Sequence, residues 1–138
     1  MTQQIQELSD LECWEVLRRN ELGRLAFHLL DEVDIVPVNY VVDGRTLLFR
    51  TAEGSKLLGV VLNANVAFEV EEVGSETARS VVVRGEARQL DEHEAHRAES
   101  LPLHTWVPGD RYEVVEITPA SITGRELPLE RPWLRLGT

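Results

Sequence analysis

The dipeptide Asp43-Gly44 constrains this chain most, because it separates two runs that only a hairpin accommodates together. Before it, Ile35 to Val42 is nearly all apolar or aromatic; after it, Thr46-Leu47-Leu48-Phe49-Arg50 is a second β-type run. Asp-Gly between such runs is a strong hairpin signal. Pro37 removes a backbone donor from the first strand and predicts an edge or a bulge there. Asn39 and Tyr40 interrupt its apolar character, and since neighbours on a strand point to opposite faces, one of them must meet something polar. A bound ligand would serve, and so would a neighbouring loop with Tyr40 half-buried in the core.

The second strand leads through Thr51-Ala52-Glu53-Gly54 into Ser55-Lys56-Leu57-Leu58-Gly59-Val60-Val61-Leu62, which has the apolar density of a buried helix. The link gathers Arg50 and Thr51 at a strand end, Gly54 at a bend, and Ser55 with Lys56 at a helix start. Free backbone N–H groups and the helix dipole favour an anion there. Arg presents a planar fork, Lys a point charge and each hydroxyl a donor, a set suited to one phosphate. An exposed turn in which Ser55 merely caps the helix fits the spacing equally well.

Elsewhere, Ser9 and Glu12 form a capping box that opens a helix ending near Asn20. Gly23 to Leu30 reads as a strand with Leu25, Phe27 and Leu29 on one face, and Asp31 to Asp34 as its turn. Val66 to Glu71 and Arg79 to Leu90 are further strands, Gly85 marking a bend or bulge in the second. Asp91 and Glu94 repeat the cap spacing and open a polar helix to about Ser100. Pro102 and Pro108-Gly109 bracket a loop holding Trp106. Tyr112 to Ile117 and Ser121 to Leu127 are two last strands, with Pro119-Ala120 between them, and the tail from Pro128 to Thr138 has no periodicity. About seven strands joined by hairpins, with too few helices to cover a parallel sheet, predict a mainly β fold: a small closed barrel with a few short helices.

A chain of 138 residues predicts one domain, 1–138, with peripheral tails at 1–7 and 128–138. No apolar run approaches the ~20 residues a bilayer requires, and the N-terminus lacks the plan of a signal peptide, so a cytoplasmic protein without membrane contact is expected. The net charge of −10 disfavours nucleic acid, whose binding depends on Lys and Arg neutralising phosphates. Cys13 is the single cysteine; with no histidine or basic neighbour to activate it, it reads as a packed small residue. His93 and His96 share a helical face but have no third ligand at matching spacing, and no metal is expected.

Taken together, Leu8-Ser9 with Glu12-Cys13, Gly23-Arg24-Leu25-Ala26-Phe27, Pro37-Val38-Asn39-Tyr40, Phe49-Arg50-Thr51 with Gly54-Ser55-Lys56, Val66 to Val70, Ser80 to Gly85 and Ile122-Thr123-Gly124-Arg125 give the chain a family likeness. From Leu8 to about Leu127 it resembles the FMN-binding split-barrel proteins related to pyridoxamine 5'-phosphate oxidase, in particular the small bacterial branch that includes nitroimidazole-resistance-type proteins. The resemblance implies an antiparallel Greek-key split barrel that forms a homodimer with FMN in clefts between the subunits. It further implies that Arg50, Thr51, Ser55 and Lys56 hold the phosphate, that Pro37, Val38, Asn39 and Tyr40 run beside the isoalloxazine ring, and that the second subunit adds Trp106 or Arg125. The activity implied is electron transfer from a reduced nicotinamide to a small organic acceptor. A deazaflavin coenzyme in the same barrel, or a flavin-carrying module without turnover, are the alternatives. The flavin would supply the redox chemistry and no side chain need act covalently.

Overall fold

The computed structural model describes residues 4–52, 64–103 and 112–130. In chain order these form β1 (Gln6–Glu7), α1 (Asp10–Arg19), β2 (Leu22–Leu29), β3 (Glu32–Asp43), β4 (Thr46–Ala52), β5 (Ala64–Val73), β6 (Thr77–Gln89), α2 (Glu92–Glu99) and β7 (Tyr112–Pro128). The expected helix from Lys56 to Leu62, the Trp106 loop and the tail beyond residue 130 lie outside the described residues.

Every strand pairing is antiparallel. β2, β3 and β4 form a meander, and the connection after β4 lays β5 beside β2, which is a Greek key. β5, β6 and β7 form a second meander, and β7 pairs with both β6 and β4, closing six strands into a ring with β1 appended to β7. The mainly β barrel read from the sequence is what the chain forms. Closure follows from the alternation of side chains: Leu25 and Phe27, Val38 and Tyr40, Leu47 and Phe49, Phe68 and Val70, Val81 and Val83, and Val115 and Ile117 all turn inward and are buried.

The first helix closes one end of this barrel. Both arms of its capping box are made, Ser9 N–H to Glu12 Oε1 at 3.0 Å and Glu12 N–H to Ser9 Oγ at 3.2 Å. Cys13, Trp14, Val16 and Leu17 form its buried face. On the outside of the wall a second cluster forms where Leu48 and Val114 meet Leu90, Ala98 and Leu103, so α2 packs against the back of β4 and β7.

Three local expectations change. The β2–β3 turn is Leu30-Asp31 and not Asp31 to Asp34, because pairing continues to Leu29↔Glu32 and Leu30 takes the positive φ of 56° that a two-residue turn demands. At the hairpin that anchors the sequence, Asp43 pairs with Thr46, so the turn residues are Gly44-Arg45, with Gly44 at φ 60°. Glycine first is the pattern of a type II′ turn. The two C-terminal strands are one continuous strand. Pro119 and Ala120 do not turn the chain back; register slips between Arg84↔Ser121 and Gly85↔Pro119, leaving Ala120 as the extra residue of a bulge. The bulge lets one long strand bend and change neighbours, from β4 on its first half to β1 near its end.

Candidate functional site

The barrel wall parts between β3 and β4. β3 and β4 pair from Asp43↔Thr46 only as far as Tyr40↔Phe49. Beyond that rung β3 is bonded to β2, through Asn39↔Leu22, Val38↔Gly23 and Pro37↔Arg24, while β4 is bonded to β7, through Arg50↔Val114, Thr51↔Glu113 and Ala52↔Tyr112. No ladder joins the two across this gap among the described residues. Pro37, which has no N–H to offer, therefore lies where β3 has one unpaired edge, as its chemistry requires. The split brings together Pro37 to Tyr40 and Arg50-Thr51, two stretches that the sequence separates by a hairpin.

Alternation then sorts these side chains. Pro37 and Asn39 face outward, while Val38 and Tyr40 face the core. Asn39 Nδ2 donates to the carbonyl of Glu21 at 3.2 Å. Tyr40 is 2% exposed, stacks edge-on against Phe68 with centroids 4.8 Å apart, and donates its hydroxyl to the Leu17 carbonyl at 2.6 Å. Burial, with Glu72 nearby adding to it, pushes its phenol well above the usual range. On β4, Thr51 is buried on the barrel side and Arg50 is half-buried on the outer side. Arg50 carries no ion pair among the described residues, unlike Arg19, Arg24, Arg79, Arg88 and Arg97, each of which meets a carboxylate.

The outer face of β4 is braced from behind. Glu116, 5% exposed on β7, accepts from Arg97 at 2.7 Å and from Arg88 at 3.1 Å. Arg97 continues to Asp43 at 2.7 Å, and Arg88 to Glu94 at 2.8 Å. This chain of charges ties α2 to the β3–β4 hairpin and to β7, which fixes the strand that carries Arg50. The hydrogen bonds from Arg88 hold the Glu94 carboxyl down at about 2.

Ser55, Lys56 and Trp106 lie outside the described residues. Arg125 is exposed and pairs with Glu7 and Ser80, so a length of β7 on the order of 30 Å separates it from the rung of Arg50. Within one chain the two do not meet, and any joint role needs a second copy. Cys13 is buried, and burial raises its thiol above the ordinary range, with Asp10 and Glu12 adding to the shift. His93 and His96 are exposed on α2 with ring centroids 6.5 Å apart. No group of three His, Cys, Asp or Glu side chains suited to a metal occurs among the described residues. No helix among them is long and apolar enough to cross a membrane.

Sequence reasoning missed a cleft of about 590 Å³ at the β6–β7 bulge, lined by Ala26, His28, Val33, Arg84, Gly85 and Pro119 among others. Gly85 allows β6 and β7 to approach closely beside it, since a Cβ there would stand 2.1 Å from the Thr118 carbonyl oxygen. The signals in the sequence were that glycine and Pro119-Ala120, each read as local punctuation. A second, more polar cleft of about 560 Å³ lies between the end of α1 and β3, where Arg18, Arg19 and Asn20 face Leu22, Tyr40 and Val41.

Residues 9–126 match the family model described as pyridoxamine 5'-phosphate oxidase. The structure is similar to that of the FAD binding protein from Mycobacterium smegmatis, with 39% identity, a TM-score of 0.83, and coverage of 91% of this chain and 100% of that one. A FAD-binding protein from Mesorhizobium loti is similar at 27% identity and a TM-score of 0.74, over 88% of this chain and 97% of that one. An uncharacterised protein of Mycobacterium tuberculosis is 40% identical over 89 residues, which are 62% of this chain and 78% of the relative.

Proposed function

We propose that this chain, which belongs to the pyridoxamine 5'-phosphate oxidase family, is a flavin-dependent oxidoreductase that holds its cofactor at the split between β3 and β4. The observation that carries this is the half-buried Arg50 at the unpaired edge of β4, facing the open edge of β3 and engaged by no carboxylate among the described residues. An unpaired guanidinium at a strand end, continued by Gly54, Ser55 and Lys56 in the sequence, suits a phosphate. The outward side chains of Pro37 and Asn39, with Val38 between them, border an exposed strand edge that suits a flat ring. Tyr40 supports that edge from the core side, its hydroxyl committed to Leu17 and its N–H to the Glu21 carbonyl. When bound, the flavin supplies two-electron chemistry between a reduced nicotinamide and a small acceptor. The protein's part is to bind and orient.

FMN is the cofactor proposed, in a homodimer to which the second subunit contributes Arg125 or Trp106. The distance between Arg125 and Arg50 along β7 supports that division of labour. FAD is a second reading, favoured by a relative at 39% identity that is described as FAD-binding. Purified protein should be yellow, and released cofactor separated by chromatography against FMN, FAD and a deazaflavin coenzyme identifies it. Arg50→Ala combined with Lys56→Ala should weaken binding tenfold or more, as expected from ~1.5–3 kcal/mol for hydrogen bonds to charged groups. Colourless protein that takes up none of the three would end this proposal, and flavin affinity unchanged in the double variant would move the phosphate elsewhere.

A further inference from the structure

We propose that Arg97 and Arg88 are positioning residues for the phosphate corner: by engaging Glu116 they withhold it from Arg50, which stays open to an anion. The role rests on the flavin reading above. On the outer face of β4 and β7, Arg50 stands opposite Val114 and Leu48 opposite Glu116, so Glu116 is the diagonal neighbour of Arg50. Diagonal neighbours across an antiparallel ladder stand roughly 7–8 Å apart, within reach of long side chains. An arginine that meets a carboxylate there spends on it the fork that it would offer a phosphate. Arg50 nevertheless carries no ion pair among the described residues, although Glu116 carries two.

Both carboxylate oxygens of Glu116 are taken from other directions. Oε2 accepts from Arg97 at 2.7 Å and Oε1 from Arg88 at 3.1 Å. Each guanidinium is anchored in turn: Arg97 by Asp43 at 2.7 Å and by Thr46 Oγ1 at 3.3 Å, Arg88 by the two oxygens of Glu94 at 3.2 and 2.8 Å. Arg97 reaches in from α2, and Arg88 from β6, which flanks β7 on the side away from β4. Glu116 is 5% exposed, so water cannot replace a lost partner, and without Arg97 its Oε2 would be a buried charge short of a donor. Arg50, on the adjoining strand, is the cation placed to supply one. The chain holds 24 acidic against 14 basic residues, so a carboxylate beside a ligand-binding arginine needs partners of its own if the arginine is to stay free.

The test is fluorescence titration of FMN, and in parallel of FAD, into the flavin-free full chain, with far-UV circular dichroism recorded for each variant. Arg97→Ala releases Glu116 to Arg50 and should weaken flavin binding about tenfold or more, the effect of one hydrogen bond to a charged group. Arg97→Lys, which keeps the charge, should lose less. Adding Glu116→Gln to Arg97→Ala removes the competing charge and should return the affinity toward that of wild type. In an Arg50→Ala background, where no guanidinium is left for Glu116 to take, Arg97→Ala should have no further effect; loss of a merely structural brace would still be felt there. Equal affinity in wild type and Arg97→Ala, a double variant that binds no tighter than Arg97→Ala, or an Arg97→Ala effect that persists in the Arg50→Ala background would overturn the assignment and leave the flavin reading in place. Wild-type protein that takes up neither flavin removes that reading, and the positioning role with it.

Discussion

Substituting Gly85 by alanine isolates the feature that bends β7. A Cβ at this position would lie 2.1 Å from the Thr118 oxygen, 2.9 Å from its carbonyl carbon and 3.0 Å from Pro119 Cα. All three are backbone atoms, so no side chain can rotate away and the strand itself must move. Ordinary carbon–oxygen contact lies near 3.3 Å, so the two strands must part by about 1 Å. Overpacking of this kind costs about 1–3 kcal/mol, and parting the strands weakens the flanking rungs by about 1 kcal/mol each. A loss of about 3–4 kcal/mol is expected, a large share of the ~5–15 kcal/mol typical of a domain. At roughly 3 °C per kcal/mol for a chain of this size, Tm should fall by about 10 °C. Urea unfolding followed by far-UV circular dichroism would measure it, with an unchanged m-value showing that the unfolded state is not at issue. Gly44→Ala is the control: its φ of 60° strains any other residue by about 1–2 kcal/mol, yet nothing lies within 4 Å of a Cβ there. Should Gly85→Ala cost no more than Gly44→Ala, close approach at the bulge is not what demands glycine.

Tyr40→Phe removes the hydroxyl that donates to the Leu17 carbonyl at 2.6 Å and should cost about 1–2 kcal/mol in a denaturant melt while leaving flavin content unchanged. Glu116→Ala leaves both Arg88 and Arg97 without their shared, nearly buried acceptor and should cost about 3 kcal/mol by the same assay, with Glu116→Gln falling between it and wild type. Acid should destabilise the fold in a defined window. Glu72, held down by hydrogen bonds from Arg19, and Glu94, held at about 2 by Arg88, have folded values below the ordinary carboxylate value. Their contribution is therefore fully present above about pH 5 and lost as pH falls through the folded values toward 2. A Tm-against-pH profile should be flat from 7 to 5 and decline below, and Arg88→Ala should flatten that decline in part.

The fold was legible because each of its determinants is local. Alternating runs, a glycine turn and the reciprocal Ser9–Glu12 cap each act within a few residues, and together they predict strands, order and the first helix. Misjudged details were those that tertiary pairing decides. Pro119-Ala120 has the composition of a turn, but pairing with β6 on one side and with β4 and then β1 on the other keeps the chain extended through it. Leu30 has no preference for a positive φ, yet the ladder to Leu29↔Glu32 forces one.

The candidate site was legible only in its parts, for a physical reason. Asn39 and Tyr40 were singled out as polar interruptions of one strand and Arg50 as a strand-end cation, but what joins them is a ladder that stops at Tyr40↔Phe49, and no composition of β3 or β4 alone dictates where it stops. β7 does so from the other side. It engages Arg50 to Ala52 and Leu47 to Phe49 alike, so β4 follows β7 past the point where β3 has turned to β2. The cleft is assembled in the same way from residues far apart in sequence: His28 and Val33 across one hairpin, Arg84 on β6 and Pro119 on β7. Gly85 and Pro119, which read separately as punctuation in two strands, are one feature in space. The residue inserted opposite Gly85 bends β7, and the same β7 that the bulge bends carries the pairing that opens the wall beside Arg50. A variant that straightens the bulge should therefore be felt at the split as well as in the cleft.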